Sequence, residues 1–268
     1  MILLNGCEIE PTIFPDGTSQ MWKYDDCLLI DGGIDTVHWY FEREEELAWI
    51  LQLGYHSYFN LVMPYLPYAR QDHGYNLFST NRTFALFPFL NALMSADYAR
   101  IFTFDAHSPS IKKYEKITNR MPVFYSLFSS YDILIFPDKG AKDRYINIPE
   151  AHQEIYYGDK VRNQGTGYIT HYDLHGRLGG LKDKEVLVID DLCDGGMTFK
   201  ILAESLKKEG VANADLYVSH GVFSKGFAPI LEDYRHIYTT DSYMHNHKLK
   251  EVEWFKSQGQ LTIMETGL

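Results

Sequence analysis

An aliphatic run that ends in two carboxylates constrains this chain more than any other feature. Val186-Leu187-Val188-Ile189 leads directly into Asp190-Asp191-Leu192-Cys193-Asp194-Gly195-Gly196-Met197-Thr198, and a helical pattern follows that closes at Gly210. A strand that is apolar on both faces must be covered on both, which is the situation of an interior strand in a parallel sheet. The acidic, glycine-rich turn then lies at the carboxyl end of that strand, where open α/β sheets bind their ligands. Gly195 and Gly196 let backbone N–H groups approach a phosphate, a helix starting near Thr198 adds its positive end, and the Thr198 hydroxyl is a further donor. Asp190 and Asp191 are placed to accept hydrogen bonds from sugar hydroxyls. A Gly-Gly turn with an N-capping Thr also occurs in α/β proteins without any ligand. Two adjacent aspartates directly behind an apolar strand make that plainer account the weaker one.

Other strand-length apolar runs occur at Cys27–Ile30, Arg100–Phe104, Ile133–Phe136 and Leu216–Ser219. Helical spacing separates them, over Glu44–Phe59, over Thr83–Met94, which Pro88 should bend or shorten, and over Thr198–Glu209. Alternation of this kind predicts an α/β protein with mainly parallel sheets flanked by helices. The length of 268 residues fits two moderate domains, with a boundary expected near Met121-Pro122, so 1–121 and 122–268. No period of 20 to 50 residues repeats, which sets solenoids aside.

Charge excludes one class of partner. The chain carries 25 Lys and Arg against 36 Asp and Glu, a formal −11, without a basic run, so binding to nucleic acid through its phosphates is not expected. Any anionic ligand must be held locally. No apolar run approaches the roughly 18 residues of a membrane span, and the first residues lack a secretory pattern. Cys7, Cys27 and Cys193 show no paired or metal-type spacing, which fits a reducing compartment; a cytoplasmic location is expected.

The stretch Asp190–Thr198 resembles the phosphoribosyl diphosphate motif of the phosphoribosyltransferase-like fold. Pro67-Tyr68-Ala69-Arg70-Gln71-Asp72 is more selective, because P-Y-A-R-Q-D after an apolar strand resembles the nucleotide-binding segment of ribose-phosphate diphosphokinases. Further segments resemble that family in the same order: Phe14-Pro15-Asp16-Gly17 its F-x-D-G, Phe104-Asp105-Ala106-His107 its D-L-H, and Pro137–Arg144 its P-D-x-G-x-x-x-R. Lys160-Val161-Arg162 resembles its catalytic K-x-R, and Ser219–Ser224 its T-H-G-x-F-S. Alone, His107 reads as a structural histidine and Lys160 with Arg162 as a solvated face; order and joint occurrence give them weight.

The resemblance implies two phosphoribosyltransferase-like domains, the first on the nucleotide side and the second carrying the acceptor-binding and catalytic loops. It implies transfer of the β,γ-diphosphoryl group of ATP to the C1 hydroxyl of ribose 5-phosphate, with AMP released. By the same correspondence Lys160 and Arg162 are catalytic. Phe14, Asp16, Arg70, Gln71, Asp72 and His107 bind ATP, and Asp190, Asp191, Asp194, Gly195, Gly196, Met197 and Thr198 bind the acceptor. Mg2+ is implied as cofactor, with His107 and Asp138 as its contacts, although His is an atypical direct ligand for it. A homo-oligomer built from dimers is implied as well. No residue stands out as general base.

Departures from the family pattern bear on the acceptor. About ten residues separate Leu4 from Phe14, leaving no room for the helix usual there, and Thr18 stands where Glu is usual. The usual T-G-G-T reads Gly195-Gly196-Met197-Thr198, which loses one hydroxyl donor. That change fits a phosphodiester acceptor such as ADP-ribose as the alternative to ribose 5-phosphate. A phosphoribosyltransferase acting on a base would share the Asp190–Thr198 motif but has no use for Pro67–Asp72 or the K-x-R. A non-catalytic relative would not be expected to retain His107, Asp138, Lys160 and Arg162.

Overall fold

The computed structural model describes the chain apart from residues 30–31, 73–83, 123, 148–152, 163–168, 177–179 and 244–248, and apart from the side chains of 160–162, 169–171 and 249. It divides into two compact units, Met1–Met121 with Thr266–Leu268, and Pro122–Glu265.

The first unit contains, in chain order, β1 (Ile2–Leu4), β2 (Cys7–Glu8), β3 (Thr12–Ile13), β4 (Ser19–Gln20), β5 (Thr36–Trp39), α1 (Glu46–His56), β6 (Asn60–Met63), α2 (Leu86–Ser95), β7 (Arg100–Phe104) and β8 (Ile117–Arg120). Its six-stranded sheet has the order β2-β1-β5-β6-β7-β8, and β3 with β4 forms a separate hairpin. Strands β5 to β8 run parallel, while β1 is antiparallel to β2 and β5. Trp39, Ile50, Leu53, Leu61, Leu90 and Tyr98 fill the core between sheet and helices. Burying one such side chain contributes roughly 1.5 to 3 kcal/mol.

The expected strand at Cys27–Ile30 is corrected. Asp25–Cys27 is a turn of 3-10 helix, Leu28 and Leu29 are exposed, and Ile30 lies outside the described residues. Side chains supply the backbone partners that a ladder would have given: Asn5 Nδ2 donates to the Cys27 carbonyl and Asp35 accepts from the Leu29 N–H. The strand is β5 instead, whose Val37 and Trp39 are buried in alternation with Thr36 and His38. Thr83 also lies outside the described residues. Pro88 falls in the first turn of α2, where a missing N–H costs no helical hydrogen bond.

The second unit contains α3 (Tyr125–Phe128), β9 (Ile133–Phe136), α4 (Lys139–Tyr145), β10 (Glu154–Arg162), β11 (Ile169–His175), β12 (Val186–Cys193), α5 (Met197–Lys208), β13 (Ala214–Gly221), α6 (Ala228–Leu231), β14 (Ile237–Thr240), α7 (Leu249–Ser257) and β15 (Leu261–Met264). Its seven strands have the order β11-β10-β9-β12-β13-β14-β15, parallel except for the β10–β11 pair. The central strands β9, β12 and β13 are buried along nearly their whole length, as their continuous apolar runs require. Leu202, Leu206 and Phe199 of α5 cover Val186, Val188 and Leu216 on one face. Each unit is thus a mainly parallel sheet flanked by helices. Among the described residues no helix is long and apolar enough to cross a membrane.

Candidate active site

The carboxyl ends of β9 and β12, neighbours in the second sheet, bring Asp138 and Asp190 together. Asp138 follows β9 and caps α4, its Oδ1 accepting from the Ala141 N–H at 2.8 Å. This cap explains the first half of the P-D-x-G-x-x-x-R pattern without a ligand. Asp190 is partly accessible at its surface but surrounded by protein. Burial foremost, then the charge of Asp191 and that of Asp138, hold its carboxyl well above the usual carboxylate range. Tyr172 on β11 closes the same corner: its hydroxyl donates to the Pro137 carbonyl at 3.2 Å, and burial, with Asp138 and Asp190 nearby, pushes its ionisation up. The ring crosses Gly158 of β10, where any Cβ would collide with the phenol and with the Pro137 carbonyl.

This arrangement makes a stability prediction whose sign follows from the raised acid. A carboxyl whose folded pKa exceeds its unfolded value contributes fully below the unfolded pKa, and that contribution is lost as pH rises through the folded pKa. Asp190→Asn does not titrate. Its melting temperature should therefore exceed that of the wild type by a margin that grows from acidic to neutral pH, as read by calorimetry across the range. A margin that is constant or shrinks over that range would contradict the placement of Asp190.

The turn after β12 has the conformation that its glycines permit. Gly196 is left-handed at φ 78° and forms the N-cap of α5. A Cβ on it would strike Ile230, which is buried beneath the turn. Helix α5 begins at Met197, one residue earlier than expected, so Thr198 is the second helical residue and is not the cap. The plainer account of Thr198 as a capping residue therefore does not apply. Gly195 and Thr198 are half-buried, while Asp194 and Met197 are exposed, Met197 at 53%. The free N–H groups of this twelve-residue helix face the turn, as an anion site requires.

Asp191 points differently from its neighbour, as alternation along a strand dictates. It is buried and its Oδ1 lies 2.8 Å from Nη1 of Arg144 on α4. Arg144, the last residue of the P-D-x-G-x-x-x-R pattern, thus has its charge committed to Asp191. The pair fixes the direction of the Asp191 carboxylate at the end of β12.

Lys160 and Arg162 lie in the last part of β10, the strand beside β9. The backbone register sets Lys160 opposite Tyr172 and Arg162 opposite Ile169, with an irregularity between Val161 and Arg162. Their side chains lie outside the described part of the chain.

In the first unit, the segments of the expected nucleotide side follow neighbouring strands. Pro64 to Asp72 leaves β6 and Asp105 to His107 leaves β7, and the Phe104 N–H donates to the Pro64 carbonyl at 3.1 Å. Arg70 and Gln71 are exposed, and Asp72 and His107 half-buried. Two residues hold these turns in left-handed backbone, Tyr68 at φ 61° and Asp105 at φ 41°. Such strain in non-glycine residues concentrates at functional turns. Phe14 and Asp16 sit apart, on the hairpin of β3 and β4, which is fixed to α1 by Trp49 Nε1 to Ser19 Oγ at 2.6 Å and by Gln52. Asp16 accepts from the hydroxyl and N–H of Thr18, at 2.7 and 3.0 Å, which lowers its pKa. Thr18, the departure from the usual Glu, thereby occupies Asp16 within its own turn. His107 belongs to the first unit and Asp138 to the second.

Tyr172, Gly158 and Arg144 are the participants that reading the sequence did not assign. The signal for Tyr172 was available as the alternation in Ile169-Thr170-His171-Tyr172-Asp173-Leu174-His175, a strand period next to the K-x-R.

Comparison with known proteins bears on the fold. No protein-family model matches the chain. A Lactococcus lactis protein provisionally named as a second ribose-phosphate pyrophosphokinase is 27% identical over 206 residues, 70% of this chain and 60% of that protein. A ribose-phosphate pyrophosphokinase of Mycoplasmopsis pulmonis is 29% identical over 184 residues, 65% of this chain and 55% of its own length. The chain thus spans under two thirds of these relatives. The crystal structure of a phosphoribosylpyrophosphate synthetase from Mycobacterium smegmatis superposes with a TM-score of 0.62 over 82% of this chain and 72% of that one, at 20% identity, which establishes the likeness of fold.

Proposed function

We propose that this chain is an ATP-dependent diphosphokinase that transfers the β,γ-diphosphoryl group of ATP to the C1 hydroxyl of ribose 5-phosphate. The observation that carries this reading is the turn at the end of β12: an acid with a raised pKa, then a left-handed glycine opening onto a helix N-terminus, with β9 alone between β12 and the strand that bears Lys160 and Arg162. The sugar-binding and phosphate-binding chemistry of an acceptor are adjacent there. The named activity of the relatives supports the choice of reaction.

In the proposed reaction the C1 oxygen of the acceptor bonds to the β-phosphorus and its proton passes to solvent, while the bond from that phosphorus to the bridging α,β-oxygen breaks, so AMP leaves. Negative charge in the transition state lies on the equatorial and leaving oxygens, and fixed cations stabilise it. Arg162 offers a planar fork to them and Lys160 a mobile point charge. Arg70, Gln71, Asp72 and His107 hold the nucleotide. Asp190 bonds the sugar hydroxyls, Gly195, Gly196, Met197 and Thr198 present backbone and side-chain donors to the phosphate, and Asp194 flanks them. Asp191 acts on this site through Arg144, as a positioning residue.

Among the described residues no three metal-ligating side chains cluster, so magnesium would depend on water and substrate phosphates beside Asp138, whose charge also acts on Asp190; a hard divalent cation is satisfied by such oxygen ligands. When bound, it neutralises charge on the phosphates. Asp138 would hold it in the second unit. A dimer-based homo-oligomer and a cytoplasmic location belong to the same proposal.

ADP-ribose is a second acceptor to test, because Met197 is exposed at the loop and leaves its outer side apolar and open. With ribose 5-phosphate and ADP-ribose at equal concentration and limiting enzyme, product mass should show mainly diphosphorylated ribose 5-phosphate. Dominance of diphosphorylated ADP-ribose would reassign the acceptor, and absence of both products would refute the diphosphokinase reading.

A further inference from the structure

The turn between β13 and α6 presents a cation to the acceptor loop. Phe223 is buried in a left-handed conformation at φ 40°, and its N–H donates to the Cys193 carbonyl of β12 at 3.0 Å. The Gly226 N–H returns to the Phe223 carbonyl at 2.8 Å, which closes the turn. From α7, Glu251 Oε1 accepts from the Phe227 N–H at 3.1 Å, and it would lie 2.8 Å from any Cβ on Gly226, itself left-handed at φ 83°. Anchored on both sides, the turn exposes Lys225 at its tip. The Lys225 Cε lies 3.7 Å from where a Cβ of Gly195 would be, so its stem runs against the glycine that replaces the missing hydroxyl donor.

The charges around the loop give this placement its meaning. Asp190, Asp191 and Asp194 surround it, in a chain of net charge −11. Arg144 is committed to Asp191. Among the described residues Lys225 forms no ion pair, although it stands beside a carboxylate-rich turn. With Asp191 paired to Arg144 and the Asp190 carboxyl held above the usual carboxylate range, Asp194 is the exposed carboxylate of the loop, and an ammonium on a flexible stem supplies the point charge that a phosphoryl group needs beside it.

We propose that Lys225 binds the 5′-phosphoryl group of the acceptor, taking over the donor role lost at Gly195. This inference rests on the reading of Asp190–Thr198 as the acceptor loop. It applies to a monoester, as in ribose 5-phosphate, and with less force to a diester, as in ADP-ribose, because the monoester is close to a dianion.

Calorimetric titration of the full chain with ribose 5-phosphate, ADP-ribose and unphosphorylated ribose tests it, using wild type, Lys225→Met and Lys225→Arg. Loss of a charge-assisted contact should weaken ribose 5-phosphate binding about ten- to a hundredfold in Lys225→Met. It should weaken ADP-ribose less and leave ribose unaffected, and Lys225→Arg should restore most of the loss. In turnover, the KM for the acceptor should rise by a similar factor while the KM for ATP stays within about twofold. Equal binding of ribose 5-phosphate by Lys225→Met and wild type, or no wild-type binding of either phosphorylated acceptor, would overturn the inference. If phosphate binding depends on Lys225 but no AMP is released from ATP, the inference stands and the reaction assigned above fails.

Discussion

Lys160→Ala and Arg162→Ala should each lower kcat at least a hundredfold while leaving the denaturation midpoint close to that of the wild type. The size follows from the task proposed for them. A preorganised donor aimed at charge that develops in the transition state is worth on the order of 3 kcal/mol or more, and a diphosphoryl group in flight spreads its charge over several oxygens. Their position adds to the argument. The register of β10 puts Lys160 opposite Tyr172, which itself reaches the Asp138 and Asp190 corner. Conservative replacements should separate charge from shape, with Lys160→Arg and Arg162→Lys recovering only part of the rate because the planar fork and the point charge are not interchangeable. Near-normal AMP release by both alanine variants would remove the two residues from the reaction.

Arg144→Ala should be the most destabilising single change near the site. Arg144 and Asp191 are 17% and 4% exposed at 2.8 Å, so removing the guanidinium strands a buried carboxylate next to Asp190. Breaking a buried pair from one side costs about 3 to 5 kcal/mol, and the partial exposure of Arg144 favours the lower end. Replacing both charges by apolar side chains, as in Arg144→Met with Asp191→Leu, should return much of that loss, since well-packed apolar residues often substitute for a buried ion pair. Urea denaturation of the single and double variants measures both effects. A double variant no more stable than Arg144→Ala would mean that the pair is not what holds this end of β12.

Much of the fold was legible because continuous apolar runs admit few placements. Val186–Ile189, Ile133–Phe136 and Leu216–Ser219 could only be interior strands, and they are the centre of the second sheet. Cys27–Ile30 misled because local side-chain hydrogen bonds from Asn5 and to Asp35 compete with the ladder, an effect invisible in hydropathy. The antiparallel β10–β11 pair went unassigned because Glu154–Arg162 holds neither a continuous apolar run nor a regular alternation, so only the alternating half, Ile169–His175, carried a strand signal.

At the candidate site, the order of short segments along the chain singled out the residues but not their partners. Asp190 and Asp191 are adjacent and chemically identical, yet one faces Asp138 and Tyr172 while the other pairs with Arg144. The side chains of neighbouring strand residues diverge, so a resemblance that matches both cannot distinguish their roles. Lys225 was likewise invisible, since its approach to Gly195 depends on turn geometry set by Phe223, Gly226 and Glu251. Cys7 and Cys27, twenty positions apart in sequence, also meet in space, and burial together with the Cys7 thiol raises the pKa of Cys27.

The central claim is that the bond broken lies between the α- and β-phosphates. ATP labelled in its β-phosphate, incubated with magnesium, the enzyme and ribose 5-phosphate, tests this directly when nucleotide and sugar products are separated and counted. The account predicts one AMP for each sugar formed, with the label on a diphosphorylated sugar and none on the nucleotide. Labelled ADP together with a singly phosphorylated product, or label that never reaches the sugar, would contradict it.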